Sequence, residues 1–277
     1  MSSTTLEVAG DVRRYVDRNM EAPEVHAIAG GQAVVLSVRC PGKPSANEDA
    51  AALLPFGESG CVLAVADGVG GFPAGEQAAG LAIAALEESL GRSARAGETL
   101  RTAILNGFEN ANQAVCSLGV GAATTLAVVE IQDQTARPYH VGDSLILVVG
   151  GRGKIKLQSI SHSPVGFAIE SGLLSERDAM HHEDRHLVSN VLGAVDMRID
   201  VGSPLRLAPR DTVLVASDGL CDNLRVPEIV ERIRKGPLST GAMRLGDHAA
   251  RRMANPESSQ PSKPDDLTLV AFRPGRG

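Results

Sequence analysis

Short apolar runs rich in Val, Leu and Ile dominate the chain beyond residue 32 and limit the folds open to it. Each run is bounded by Gly, Pro or polar residues, which is the pattern of buried β-strands. The predicted strands cover 33–40, 61–67, 123–131, 137–149, 155–160, 211–218 and 267–274. Two longer segments, at about 75–90 and 98–118, carry apolar residues at helical spacing and predict helices with one buried face.

The order of these segments indicates a layered α+β fold, with two sheets between helices. The neighbouring runs at 123–131 and 137–149 favour an antiparallel meander over βαβ units. Shorter helices are predicted at 175–181, 227–235 and 240–253. We expect residues 1–30 to form a polar, partly helical leader and residues 31–277 to form a single domain with a polar, flap-like insertion at about 160–190.

The composition is that of an ordinary globular protein, with 43% hydrophobic and 22% charged residues in a chain of 277. The formal net charge of −6 argues against a nucleic-acid partner, because phosphate backbones are bound by clustered Lys and Arg. The N-terminal residues lack the apolar stretch of a signal peptide, and no window has the length of a membrane span. We therefore expect a cytoplasmic monomer without a membrane partner.

Two of the apolar runs end alike, in Asp67-Gly68 and Asp218-Gly219. A carboxylate just past a buried strand is held at the rim of a sheet, and the glycine after it lets the backbone approach a ligand closely. Asp-Gly is also a common turn dipeptide, so either pair alone predicts only a turn.

Further acidic residues accumulate near the ends of predicted strands. Glu48 and Asp49 follow one run, Asp265 and Asp266 precede the last one, and Asp143 interrupts another. Converging carboxylates repel one another unless cations neutralise them, and oxygen ligands suit Mg²⁺ or Mn²⁺ better than zinc. The residues alone therefore predict a divalent-metal site.

Seven segments, taken in order, resemble the motif series of the PPM family, the metal-dependent protein Ser/Thr phosphatases of type two-C. They are SANEDA, VADGVGG, GAATTLAVV, HVGDSLILVV, LGAVDMRIDV, DTVLVASDGL and KPDDLTLV, and together they extend over about 32–273. The resemblance implies a four-layer α-β-β-α sandwich with two central antiparallel sheets. It also implies hydrolysis of phosphoserine and phosphothreonine in proteins by water that two Mn²⁺ or Mg²⁺ ions activate. A third ion would be bound more weakly.

The resemblance also implies roles for individual residues. The expected metal ligands are Asp67, Gly68, Asp218, Asp265, Glu48 and, for the weaker third ion, Asp143. Asp67 would bridge two ions, Gly68 would contribute its carbonyl oxygen, and Glu48 would hold metal-bound water. Asp67, Glu48 and Asp218 are thus the expected catalytic residues.

The chain departs from the family pattern at several positions. The Arg that many members use to grip phosphate is missing before Glu48, which leaves Lys43 or, further back, Arg39 to contact the substrate phosphate. Val69 replaces a His proposed as a general acid in eukaryotic members, and bacterial members often have an apolar residue there. Asp266 stands where the family usually has Asn, which adds a charge beside a metal ligand.

Two alternatives compete with the phosphatase. A catalytically weak binding or regulatory module of the same fold would be indicated by loss of the metal-binding acids, which this chain keeps. The letters GDSL at 142–145 match the signature of the GDSL esterases, with Ser144 as nucleophile and Asp178 and His181 as partners, although the motif lies mid-chain and continues as a strand. In the insertion, Arg185 and His186 are either substrate contacts or part of a solvated loop.

Overall fold

The computed structural model describes residues 11–70, 74–179, 182–257 and 259–275, with thirteen strands in two sheets. Sheet I contains, in spatial order, β1 (Arg13–Val16), β4 (Asp49–Phe56), β5 (Gly60–Asp67), β6 (Leu126–Gln132), β7 (Thr135–Val141) and β10 (Asp200–Val201), with β11 (Leu205–Arg206) also paired to β7. Sheet II contains, in spatial order, β2 (Glu24–Ile28), β3 (Gly31–Val38), β13 (Leu267–Pro274), β12 (Thr212–Ala216), β8 (Leu145–Val149) and β9 (Ile155–Gln158). The strand pairs are antiparallel throughout both sheets.

Helices flank the two sheets. They are α1 (Gly75–Ala96), α2 (Leu100–Cys116), α3 (Pro164–Glu170), α4 (Glu176–Ala179), α5 (Asp218–Cys221), α6 (Val226–Ile233) and α7 (Leu238–Ala254), with a short 3-10 turn at Glu183–His186. The helices predicted at 75–90, 98–118, 227–235 and 240–253 are all present, although α1 continues to Ala96. Of the helix predicted at 175–181, α4 covers Glu176–Ala179, and residues 180 and 181 lie outside the described residues. Within the described part of the chain, no helix is both long and apolar enough to cross a bilayer.

Three layers of buried side chains hold the sandwich together. One layer lies between sheet I and the helices α1 and α2, a second between the two sheets, and a third between sheet II and α5, α6 and α7. Strand β4 shows how one sequence serves two layers: Ala50, Ala52 and Leu54 face the helices, whereas Ala51 and Leu53 face sheet II. This alternation follows from the two-residue period of a strand. The predicted α-β-β-α sandwich is confirmed.

The expectation of a partly helical leader over residues 1–30 is wrong for the described residues 11–30. They form β1 on the edge of sheet I and β2 on the edge of sheet II. Tyr15 of β1 is buried between the sheets, and its hydroxyl donates to Glu24 of β2 at 2.8 Å. The polar texture of this segment reflects its position at both sheet edges, where one side of each strand meets solvent.

The single strand predicted at 137–149 is two strands in different sheets. β7 belongs to sheet I and β8 to sheet II, and the chain crosses between them at Gly142-Asp143-Ser144. Gly142 has a φ of 108°, and a Cβ atom there would overlap the side chain of Thr125. Only glycine accommodates this crossing, so Asp143 lies at a break between strands and not inside one.

Candidate metal centre and active site

The acidic residues singled out in the sequence converge at one end of the sandwich. Asp49, at the start of β4, pairs directly with Asp67 at the end of β5. In sheet II, β12 ends beside the starts of β13 and β8. A hydrogen bond from the Ser217 hydroxyl to Asp49 at 2.8 Å joins the two sheets at this end.

Asp67 is held through its backbone. Its amide donates to the Thr125 hydroxyl at 3.1 Å, while its carbonyl accepts the Thr125 amide and the Thr124 hydroxyl, each at 2.8 Å. The carboxylate is therefore free to face the site, where its Oδ2 accepts the Asp218 amide at 3.3 Å. This contact places the aspartates of the two Asp-Gly strand ends side by side.

Asp218 and Asp265 share a lysine that the sequence did not single out. The Lys263 ammonium lies 2.5 Å from Asp218 Oδ2 and 3.1 Å from a carboxylate oxygen of each of Asp265 and Asp222. Gly219 makes this crowding possible, because a Cβ atom there would overlap the Asp266 carbonyl. The Ser/Pro-rich loop that leads into β13 delivers this cation to the site.

Asp143 joins the site from the crossing between the sheets. The Ser144 hydroxyl beside it shares a hydrogen bond of 2.7 Å with the Thr125 hydroxyl, and Thr125 also holds Asp67. Gly142 is fixed to the insertion by two bonds, since its amide donates to His162 Nδ1 and its carbonyl accepts the His162 amide, both at 3.1 Å. The position of Asp143 is thus coupled to both sheets and to the insertion.

Glu48 and Asp266 are joined by Lys43, whose ammonium lies 2.6 Å from a carboxylate oxygen of each. Asp266 is 2% exposed and also accepts the amides of Cys40 and Glu48, both at 2.8 Å. The charge that Asp266 adds is therefore matched by Lys43. Lys43 was expected to contact the substrate phosphate. Two of its three ammonium protons already have acceptors, so only the third is left for a phosphate oxygen.

The other predicted contacts are differently placed. The Arg39 guanidinium donates to the Ser45 carbonyl at 3.2 Å, in the loop that carries Lys43. In the insertion, His181 and the side chains of Arg185 and His186 lie outside the described residues, and substrate contact by Arg185 and His186 stays a prediction. His162, at the start of the insertion, is 8% exposed and stacks on His140 at 4.3 Å between ring centroids.

His140, His162 and Asp200 form a second cluster with potential metal-ligand atoms near one another. His162 Nδ1 accepts the Gly142 amide, which places the proton of a neutral ring on Nε2. His140 Nε2 lies 2.9 Å from the Ile160 carbonyl and so also carries a proton. Burial lowers the pKa of His162 to about 4. The two histidines therefore form a neutral hydrogen-bonded connection between β7 and the insertion.

Burial and mutual repulsion raise the pKa of the acids at the site. Burial, followed by the charges of Asp218 and Asp49, raises the pKa of Asp67 well above its ordinary value. Burial and Asp218 raise the pKa of Asp143 to about 8. The pKa values of Asp218 and Asp265 are raised by burial and then by Asp222 and Asp218, respectively. Such a set of carboxylates is electrostatically unfavourable without bound cations.

One oxygen atom makes the fit to a divalent ion specific. Asp218 Oδ1 is buried and has no hydrogen-bond partner among the described residues, although buried carboxylate oxygens normally have one. It belongs to a cluster whose other donors, on Asp67, Asp143 and Asp265, are also oxygen atoms. An orphaned carboxylate oxygen in an all-oxygen donor set fits Mg²⁺ or Mn²⁺.

The esterase hypothesis finds no support in this geometry. Ser144 is 1% exposed, its hydroxyl bonds to Thr125, and β8 follows it directly. His181, the proposed base, lies outside the described residues. A nucleophile needs access to its substrate and a base within hydrogen-bond reach, and the buried Ser144 hydroxyl is instead part of the support for Asp67.

The fold and the acidic centre define a metal-dependent phosphohydrolase of the α-β-β-α class. A family model described as protein phosphatase 2C matches residues 42–236, which is more than half of the chain. The chain belongs to this family, and the resemblance stated from the motifs is confirmed.

Individual relatives agree with the family assignment. The protein phosphatase PhpP of Streptococcus pneumoniae is 30% identical over 175 residues, which cover 61% of this chain and 70% of PhpP. The crystal structure of the PPM Ser-Thr phosphatase MsPP from Mycobacterium smegmatis, in complex with cacodylate, is 25% identical with a TM-score of 0.71, covering 88% of this chain and 98% of MsPP. The catalytic domain of the phosphatase PstP in complex with two manganese ions is 23% identical with a TM-score of 0.67, covering 88% and 98% respectively.

Proposed function

We propose that this protein hydrolyses phosphoserine and phosphothreonine in protein substrates with two Mn²⁺ or Mg²⁺ ions, which Asp67, Asp218, Asp265 and the Gly68 carbonyl hold. The orphaned, buried Asp218 Oδ1 beside Asp67 is the observation that carries this proposal. Asp143 would hold a weaker third ion, and Glu48 would orient water. Family membership supports the reaction class.

The ions, once bound, would lower the pKa of a water molecule and neutralise charge on the phosphate. The protein's own contribution is to fix the ligands before the substrate arrives. Thr125 and Thr124 hold the Asp67 backbone, and Asp266 holds the amide of Glu48. Because these contacts are made by buried groups, the ligands need little reorganisation during the reaction.

Substrate phosphate would be bound next to this acidic centre by Lys43, with Arg39 close by in the chain. Lys43 lies between Glu48 and Asp266 and can orient one remaining proton towards a phosphate oxygen. A lysine attracts phosphate as a point charge without the paired geometry of arginine. We therefore infer weaker phosphate binding than an arginine would give, and a substrate choice set more by the protein part of the substrate.

The test is hydrolysis of p-nitrophenyl phosphate and of a phosphothreonine peptide, with and without Mn²⁺. Wild-type activity should require Mn²⁺ and be abolished by EDTA, and Asp67→Asn should be inactive. Asp247→Asn is the matched control, because Asp247 is exposed on α7. Activity that survives both EDTA and Asp67→Asn would overturn the proposal, as would a folded wild-type protein that binds the phosphopeptide in Mn²⁺ without hydrolysing it.

A further inference from the structure

Lys263 lies among the carboxylates proposed to bind metal, although lysine is not a metal ligand in its charged form. Its ammonium contacts Asp218, Asp265 and Asp222 at distances of 2.5 to 3.1 Å. Its side chain is 22% exposed, so the contact is partly shielded from solvent. An ammonium this close to three carboxylates forms ion pairs with all of them. The residue therefore carries a positive charge at the centre of the site.

The backbone of Lys263 is anchored, so this position is not that of a freely moving surface lysine. Asn223 Oδ1 accepts a hydrogen bond from the backbone N–H of Lys263 at 2.9 Å, and Asn223 Nδ2 donates one to the Lys263 carbonyl at 2.8 Å. Asn223 is fully buried, and its amide also donates to the Gly219 carbonyl at 2.9 Å. The same side chain thus ties the loop that carries Lys263 to the turn that carries Asp218.

A divalent ion held by Asp218 and Asp265 would use the carboxylates that Lys263 contacts. Asp218 offers Oδ2 to the ammonium, while its buried Oδ1 has no partner among the described residues. An ammonium close to both acids repels a divalent cation at the same place. Lysine has a flexible stem of four carbons, so its head group can move away while the anchored backbone remains in place.

We propose that Lys263 is a tethered cation that competes with one of the two divalent ions for Asp218 and Asp265. Binding of that ion requires displacement of the ammonium, which lowers the affinity at this position relative to the position that Asp67 would form with the Gly68 carbonyl. The inference rests on the proposed metal-dependent function and adds a determinant of metal affinity. When the concentration of divalent cations is low, the ammonium would compensate the negative charge of these acids.

The direct test is calorimetric titration of the full chain with Mn²⁺. Lys263→Met should tighten the weaker binding step at least tenfold, whereas Lys263→Arg, which keeps the charge, should not tighten it. Lys156→Met is the matched control, because Lys156 forms an ion pair of the same length with Asp211 at the far end of β12. This control removes one charge and one ion pair and should leave Mn²⁺ affinity unchanged.

Equal Mn²⁺ affinity in wild type and Lys263→Met, or weaker binding in Lys263→Met, would overturn this inference but not the proposed function. A wild-type protein that binds no Mn²⁺ would overturn the proposed function first. A second measurement follows binding in the wild-type protein itself: Mg²⁺ is titrated into protein labelled with ¹³C at lysine Cε. The Lys263 signal, assigned through its loss in Lys263→Arg, should shift with the weaker binding step, and a signal that stays constant through saturation contradicts displacement.

Discussion

Strand β12 has an acid paired to a lysine at each end, and the two pairs differ in how completely the acid is satisfied. Before the strand, Asp211 is 2% exposed and accepts both Lys156 at 2.5 Å and the Ala208 amide at 2.7 Å. After the strand, Asp218 also meets a lysine at 2.5 Å, but that lysine, Lys263, serves two further acids. The Lys156–Asp211 pair is therefore a complete structural contact. The Lys263–Asp218 pair has the same length, but it leaves an excess of negative charge around the lysine.

The difference shows which contacts fold the protein and which are reserved for a ligand. A buried acid with local donors stabilises the native chain, because its acceptor requirement is met without any bound ion. An acid with an orphaned oxygen destabilises the chain until something binds. This contrast can be tested by removing each acid separately.

The largest expected effect is the loss of turnover in Asp218→Asn. We expect kcat at saturating Mn²⁺ to fall about 10³-fold, or about 4 kcal/mol in the activation barrier, because a proposed metal ligand loses its charge. The free energy of unfolding in EDTA should stay the same or rise, since a buried, repelled charge is removed. Steady-state assays and urea denaturation measure the two quantities. An active but destabilised variant would break the comparison.

Asp211→Ala should show the reverse behaviour. Loss of this acid leaves Lys156 without its buried partner, so the free energy of unfolding should fall by about 3 kcal/mol. The kcat of the folded fraction should remain within about twofold of wild type, because Asp211 is at the opposite end of β12 from the site. Asp247→Ala on the exposed surface of α7 is the control for generic effects. A large fall in kcat without destabilisation would contradict this assignment.

A smaller, graded effect concerns pH. The pKa of Asp143 is about 8 in the folded chain and near 3.8 when unfolded, so between these values the folded state binds more protons than the unfolded one. The contribution of Asp143 to stability therefore falls as pH rises from about 4 to 8 and then levels off. We expect the melting temperature in EDTA to decline over this window.

Two comparisons check the origin of that decline. Asp143→Asn should reduce the slope of melting temperature against pH in EDTA, and saturating Mn²⁺ in the wild-type protein should reduce it as well. The melting temperature is measured by calorimetry at constant ionic strength. If the slope is as steep in Asp143→Asn as in wild type, the decline comes from other groups.

The smallest expected effect is on substrate binding by Lys43. Lys43→Met should raise KM for p-nitrophenyl phosphate about fivefold, or about 1 kcal/mol, through loss of a point charge near the phosphate. Lys43→Arg keeps the charge and should restore much of the loss. Lys43 combines the roles of Lys156 and Lys263. It pairs with the buried Asp266, as Lys156 pairs with Asp211, and it also contacts the partly exposed Glu48 at the site. An unchanged KM in Lys43→Met would make its role purely structural.

Much of the fold was readable because most strands are buried on both sides and appear as continuous apolar runs. Strand β4 escaped prediction: its sequence DAAALLPF is rich in alanine and contains a proline, and its strand conformation comes from pairing with β1 and β5. The crossing at Gly142 was also invisible, since apolar residues precede and follow it in either arrangement. Both errors concern pairing between segments, which the pattern within one segment does not reveal.

The acids of the site were predictable from strand ends, whereas their partners were not. Asp67 and Asp218 share a local pattern, an apolar run followed by Asp-Gly, that can be recognised without a structure. Lys263 lies in a Ser/Pro-rich loop without such a pattern, and only tertiary contacts bring it to Asp218. Lys43 and Asp266 are 223 residues apart in the sequence. The neutralisation of the Asp266 carboxylate by Lys43 could therefore not be inferred from the chain alone.

The division of the proposed ligands between the two sheets has a consequence for how the molecule unfolds. Asp67 belongs to sheet I, while Asp218 and Asp265 flank strands of sheet II. An ion bound to acids of both sheets acts as a non-covalent staple between the layers, and its binding energy adds to the cost of separating them. Metal supply would then set the resistance of the protein to proteolysis as well as its turnover, because opening between the sheets requires the ion to leave.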